Sequence, residues 1–163
     1  MEQSILRQPL TEYSATARHQ AGEEIEYYNA RGERCVLEYC QAGEAIAAQG
    51  AGLWPIQDGD GKRKLIDTPP AGGDEYGWQG FSLAANVPDD YYFYMQKSGP
   101  SLVGLVTATN VAAGDMIWPS AAGVWSTTTL ATQAQVDTAK GRLKTLVAAT
   151  APAPVPAGSA VFT

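Results

Sequence analysis

Hydrophobic and polar positions alternate most cleanly over residues 33–39, where Cys35, Leu37 and Tyr39 fall on one face and Arg34, Val36 and Glu38 on the other. A two-residue period is that of a half-buried antiparallel strand. The run Tyr91-Tyr-Phe-Tyr-Met-Gln96 is the most β-prone in the chain, because aromatic side chains suit a pleated surface. Pro88-Asp-Asp90 and Ser98-Gly-Pro100 supply turns at its two ends. Two further turn signals, Asp58-Gly-Asp-Gly-Lys-Arg-Lys64 and Thr68-Pro-Pro-Ala-Gly-Gly-Asp74, leave room for only a short strand at 64–67. Strands are also expected within 76–84, 102–109, 116–118, 124–129 and 158–163. Short strands separated by turns predict a mainly β fold, a small antiparallel β-barrel or sandwich.

The ends of the chain read differently. Residues 1–31, with Pro9, Gly22 and the acidic Glu23-Glu-Ile-Glu26, suggest an extended N-terminal arm that either folds back or reaches a neighbouring molecule. A β-rich core domain is expected over 32–130 and a C-terminal part over 131–163. In the latter, Val136, Ala139, Leu143 and Leu146 recur at helical spacing, and Thr132-Gln-Ala-Gln135 has the form of a capping box. The candidates for 132–149 are one helix, weakened by Gly141, or two short strands around a turn there. The segment Ala151-Pro-Ala-Pro-Val-Pro156 must be extended, since each proline fixes its own φ and restricts its predecessor.

An internal echo crosses these boundaries. At a shift of 71, residues 42–54 and 113–125 are identical at Ala42/Ala113, Gly43/Gly114, Ile46/Ile117, Ala51/Ala122, Gly52/Gly123 and Trp54/Trp125. Each copy reads as turn, short strand, tight turn and Trp-bearing strand. Duplication and chance matching in an Ala/Gly-rich chain compete as explanations.

Composition narrows the class. Of 163 residues, 45% are hydrophobic but only 17% charged, against about 25% charged in an average soluble domain. That excludes a disordered chain, and no apolar stretch approaches the roughly 20 residues of a membrane helix. With 17 Gly and 26 Ala, core volume must come from eight Tyr, four Trp and three Phe. The net charge of -6 argues against nucleic acid as a partner. Residues 1–96 carry fifteen acids and seven bases, residues 97–163 two acids and four bases. A rear half so poor in charge suits packing against other protein surfaces. The first thirteen residues show no apolar signal region, so synthesis in a reducing cytoplasm is expected.

Reactive constellations are scarce. Cys35 and Cys40 are five residues apart on one strand, hence on opposite faces and too distant to bridge, and free thiols are expected. With His19 the single histidine, no metal site is expected, and an exposed structural role suits it best. The pairs Asp89-Asp90 and Glu23-Glu24 point their neighbours to opposite sides and read as a turn start and a solvated face. Asp58-Gly-Asp-Gly61 resembles the start of a calcium loop but lacks the twelfth-position Glu and runs into Lys62-Arg-Lys64, so a hairpin turn is expected. The residues Tyr91 to Tyr94 with Trp78, Trp118 and Trp125 serve either a core or a sugar-stacking platform. No catalytic residue, cofactor or enzyme activity is expected, because the motifs of hydrolases, NTPases and metalloproteases are missing.

The order of elements carries a resemblance. A glycine-flanked early strand over 32–39 leads to the turn Ala42-Gly-Glu44, then to Tyr92-Phe-Tyr-Met-Gln96 followed by Ser98-Gly-Pro100, Val111-Ala-Ala-Gly-Asp115 and Ala122-Gly-Val-Trp125. This resembles the small virion proteins of tailed bacteriophages, in particular head decoration, or capsid cement, proteins. There an aromatic-x-Gln-x-x-Gly strand precedes a Val-x-Ala-Gly-Asp hairpin. The resemblance spans roughly residues 32–130. It implies a β-rich, non-enzymatic homo-oligomer, trimer or dimer, on the capsid surface of a virion. Its partner would be the major capsid protein, with no membrane and no nucleic acid involved. The other reading of the aromatic strand is a carbohydrate-binding module of a phage fibre or host-surface attachment protein.

Overall fold

The computed structural model describes residues 6–70, 77–108, 110–121, 123–127, 143–146, 148–149, 151 and 154–162. Among them the chain forms ten β-strands and no helix: β1 Glu24–Tyr28, β2 Arg34–Gln41, β3 Gly52–Gln57, β4 Arg63–Ile66, β5 Gly80–Ser82, β6 Tyr92–Ser98, β7 Met116–Ala121, β8 Val124–Ser126, β9 Leu143–Thr145 and β10 Ala160–Phe162. They build a six-stranded sheet in the order β1-β2-β6-β5-β3-β4 and a four-stranded sheet in the order β10-β9-β7-β8. Every strand pairing in both sheets is antiparallel.

Local chemistry sets the two hairpins at the edges of the large sheet, and both use one device. Between β1 and β2, the Asn29 side-chain oxygen accepts from the Arg31 and Glu33 backbone N–H groups, and Gly32 takes a φ of 76°. Between β3 and β4, Asp58 Oδ1 accepts from the Asp60 and Lys62 N–H groups, and Gly61 takes a φ of 75°. An Asx residue that imitates a backbone turn, followed by a left-handed glycine, produces a three-residue hairpin loop. Thus 58–64 is the expected hairpin, with the first strand after it one residue earlier than predicted.

Alternation along β2 and β6 divides the interior in two. Leu37 and Tyr39 of β2 and Tyr94 of β6 join Ile25, Trp54, Trp78 and Phe81 in a large cluster. The small sheet adds Ile117, Trp125 and Ala160 to the same cluster, so this core lies between the sheets. Trp78 meets Trp125 edge-on at 5.0 Å, and Phe81 stacks on Phe162 at 5.6 Å. The opposite faces of β2 and β6 supply Cys40, Phe93 and Met95 to a second cluster with Leu53, Leu65, Ile46 and Val87. Here the large sheet curls: Leu65 of β4 bridges in parallel to Ala42, just beyond β2, and its carbonyl accepts from the Gly43 N–H at 2.8 Å. The contact is an isolated bridge, and the sheet is not closed into a barrel.

The passage from one sheet to the other rests on Gln96 and Gly99. Gln96 is fully buried; its side-chain amide donates to the Pro100 carbonyl at 2.7 Å and its Oε1 accepts from the Leu102 N–H at 2.9 Å. Gly99 has a φ of 89°, and a Cβ there would lie 2.4 Å from the Arg34 carbonyl oxygen. Only glycine fits so close an approach of two backbones.

Several expectations are corrected. The strand expected over 102–109 is instead an irregular crossing tied down by isolated bridges, Leu105 to Val155 and Thr107 to Trp125. Where a helix was one candidate for 132–149, residues 143–145 form β9, paired to β7 and β10; residues 128–142 lie outside the described residues. The expected N-terminal arm does not reach outward over its described part. Its residues 24–28 are β1, with Ile25 buried, and Ser14 bridges to Tyr92. The echo is asymmetric in hydrogen bonding: 116–126 is a true hairpin of β7 and β8, whereas Ile46 pairs with Val87 rather than with β3.

Candidate functional site

The curl of the large sheet leaves a cleft of about 400 Å3 lined by Ala21, Gly22, Cys40, Gln41, Lys62, Arg63, Leu65 and Tyr92. Strands β2, β4 and β6 meet there with the loop before β1. Beside it Glu38 is 3% exposed, although its place in the strand pattern had put it on the solvent side. The same curl that gathers Cys40 and Phe93 carries Glu38 inward, where Arg63 of β4 pairs with its Oε1 and Lys97 Nζ lies 3.0 Å from its Oε2. A buried carboxylate needs such partners, since an unpaired one would neutralise or unfold the region. Lys97 also pairs with Glu24; burial alone would lower its pKa, but these two carboxylates hold it above its ordinary value.

Among its lining residues the cleft holds no activated cysteine. Burial, followed by the neighbouring Glu38 charge, pushes the Cys40 thiol well above its ordinary range. Nucleophilic cysteines need the reverse shift, toward the thiolate. Cys35, fully buried on the opposite face, is likewise raised by burial, and its Sγ–H lies against the Pro100 carbonyl at 3.5 Å. Both cysteines are free.

A second polar node lies at the end of β4. Glu44 Oε1 accepts from the backbone N–H groups of Asp67 and Thr68 at 2.9 and 2.7 Å. Asp67 is 3% exposed, and its Oδ2 accepts from the Ala47 N–H at 3.3 Å. Burial first, then the adjoining Glu44 carboxylate, pushes Asp67 up to about 6. Once protonated, Asp67 has the Glu44 carboxylate beside it as an acceptor. The node staples the connection after β2 to the connection after β4.

The other candidates separate. His19 is corrected from exposed to buried: its Nε2 accepts from the Arg7 N–H at 3.3 Å, and its ring lies edge-on to Tyr39 at 5.2 Å. Glu23 stands 3.4 Å from His19 Nδ1 while Glu24 turns to Lys97, so the two acids do not converge. Asp90 has a φ of 67° and accepts from Lys64 Nζ at 2.6 Å; Asp89 is exposed. Among the described residues no group of three or more His, Cys, Asp or Glu is placed to hold a metal ion.

Of the aromatic residues, Trp78, Trp125, Phe93 and Tyr94 are at most 1% exposed, so they are core rather than a sugar platform. The rings that reach the surface are the exposed Tyr13 and Tyr28, the former in edge contact with Tyr91 at 5.7 Å, and the half-buried Tyr27, Tyr91, Tyr92, Trp118 and Phe162. The rear of the molecule is different again. Among the residues after Lys97 whose exposure is described, each exposed one is uncharged, Val106, Ala108, Ala112, Leu146, Ala148 and Pro156 among them. No family model, curated protein or solved structure matches this chain.

Proposed function

We propose that this protein is a structural component of a bacteriophage particle that binds the assembled capsid and stabilises it by bridging major capsid protein subunits, acting as a homo-oligomer on the capsid surface. The observation that carries this reading is that the exposed positions described in the crossings and loops beside the rear sheet are uncharged, in a chain whose front sheet carries networks of ion pairs. Small apolar side chains let another protein surface approach closely without stripping water from charges. In many copies, even weak contacts of this kind add up through avidity. The inward placement of Cys35, Cys40 and His19 and the saturation of Glu38 support a binding role over a catalytic one.

The test is particle-based. Particles purified from cells are expected to carry the protein in many copies, and particles lacking it are expected to assemble but burst at lower temperature or milder osmotic shock. Recovery of the protein solely as a free monomer, with particle stability unchanged by its loss, would overturn the reading. The alternative, a carbohydrate-binding module, now rests on Tyr13, Tyr91 and Tyr92. It predicts glycan-array binding that Tyr92→Ala abolishes.

A further inference from the structure

The internal echo of the sequence has a structural counterpart that is independent of composition. In the first part of the chain Cys40 pairs with Phe93 and Ile46 with Val87, both antiparallel, and toward the start of β2 a bulge between Val36 and Leu37 shifts the register, so that Val36 faces Ser98. In the second part Val111 pairs with Ala149, Ile117 with Leu143 and Leu105 with Val155, again antiparallel. Val111–Ala149 and Ile117–Leu143 are the images of Cys40–Phe93 and Ile46–Val87, displaced by 71 residues on the first strand and 56 on the second. The two parts share this register from Leu37 onward in the first, beyond the bulge. The difference is taken up in a single place: 33 residues separate Trp54 from Val87 and 18 separate Trp125 from Leu143, and the longer stretch holds the β4 excursion.

The units also touch each other reciprocally. A Cβ on Gly52 would lie 2.3 Å from Pro119 Cβ, and a Cβ on Gly123 would lie 2.6 Å from Ala48 Cβ. Under the 71-residue displacement Gly52 becomes Gly123 and Ala48 becomes Pro119. Each unit thus presents its glycine to the other unit's equivalent residue. Reciprocal contacts of this kind, i to j and j to i, are the mark of an isologous two-fold interface. The Trp125 indole N–H closes the seam by donating to the Gly50 carbonyl at 2.7 Å.

We infer that the chain is a tandem repeat of one β-unit, carried by residues 40–93 and by the described residues of 111–149, and that the segments around Gly52 and Gly123 form an interaction surface whose fitting partner is a second copy of the same unit, supplied here within one chain. The outer strands β1 and β10 lie beyond the repeated part. Identical glycines at 52 and 123 are then required by one contact used twice, which chance similarity does not require.

Double-mutant cycles on the full chain, read as urea midpoints, test this. Gly123→Ala is expected to lower the midpoint, and Ala48→Gly, by removing the opposing Cβ, to recover part of the loss. Gly52→Ala is expected to behave likewise against Pro119→Gly, giving coupling of the same sign at both ends of the seam. Coupling at neither end, or at one end alone, overturns the two-fold relation. Should Gly52→Ala fail to fold, Ala48→Pro supplies the second arm, because it places in the first unit the residue that the second unit carries at the equivalent position. Retention of the native near-ultraviolet spectrum by Ala48→Pro is expected; an unfolded or aggregated product overturns the equivalence.

Discussion

The two sheets are made of unlike material on a shared plan. The front sheet has strands of up to eight residues, side-chain-capped hairpins at both edges and a second core of its own behind β2 and β6. Its charged residues are joined in networks, Glu24-Lys97-Glu38-Arg63 at one place and Asp58-Lys64-Asp90 at another. The rear sheet has three strands of only three residues, is continued by isolated bridges, and is flanked by uncharged exposed positions such as Val106, Ala108 and Leu146. Strands so short are not stable by themselves. The rear half therefore depends on docking: its Trp125, Ile117, Val155 and Ala160 complete the core whose larger part belongs to the front. The difference teaches that a sheet can be held either by local turn chemistry and ion pairs or by packing onto a finished neighbour, and that the second route needs few charges at the exposed positions described beside it.

The most damaging way to break that dependence is Trp125→Ala. The ring is fully buried, meets Trp78 and Phe81 edge-on, and satisfies the Gly50 carbonyl. A cavity of that size in a core costs about 3–5 kcal/mol. Chemical denaturation is expected to show this loss, and hydrogen exchange is expected to show residues of β7, β8 and β9 losing protection before β2 and β6. Equal loss of protection in both sheets would mean that the rear does not lean on the front as described.

How much of this asymmetry can be read from residues alone follows from how local each cause is. The strands β2 and β6 and the hairpin at 58–62 were legible, because period-two alternation and an Asx residue before a left-handed glycine act within a few positions. Strand β1 escaped notice although Ile25 and Tyr27 do alternate with Glu24 and Glu26, because the acid run looked like a solvated arm. What neutralises it is Lys97 and Arg34, brought alongside by the sheet. Glu38 is the sharper case. Its burial depends on a curl that brings β4 to the end of β2, and no pattern within β2 reports an event at β4. In the rear, Leu143 suits a helix and a strand equally well by spacing, and pairing to β7 and β10 decides for the strand. The cleft and the Glu44–Asp67 node were invisible for the same reason as Glu38: their members come from different strands.

That node offers a smaller, pH-dependent separation of the halves. Asp67 is raised in the folded state to about 6 from an ordinary 3.8, so it binds its proton more tightly folded than unfolded. Its contribution to stability is fully present below the unfolded value and is lost as pH rises through about 6. At the corresponding place in the rear unit, Asp115 accepts from the Ala112 N–H within its own turn. Asp67→Asn supplies an amide N–H to Glu44 at every pH and keeps an oxygen for Ala47. The variant is expected to gain about 1–2 kcal/mol over the parent at pH 8, with a flatter midpoint between about pH 4 and 6. Parallel pH profiles for the two proteins would show that the pair is not the titrating element.

The smallest effect concerns one buried hydroxyl in each half. Tyr94 Oη in the front and Thr107 Oγ1 in the rear are enclosed without a hydrogen-bond partner among the described residues. Burial pushes the Tyr94 phenol up to about 12, so it stays neutral. Beside it Tyr39 is the control: its hydroxyl accepts from the Arg18 N–H at 3.0 Å and donates to Gln8 Oε1 at 3.2 Å. Removing a hydroxyl that makes bonds strands its partners, whereas removing one that makes none relieves a desolvated group. Tyr39→Phe is therefore expected to lose about 1 kcal/mol, while Tyr94→Phe and Thr107→Val are expected to be neutral or to gain up to about 1 kcal/mol. A gain at Thr107 without one at Tyr94 would place the uncompensated polar burial in the rear sheet, the half that has fewer side-chain partners to offer; a loss at both would mean that each hydroxyl is satisfied by water that enters the core.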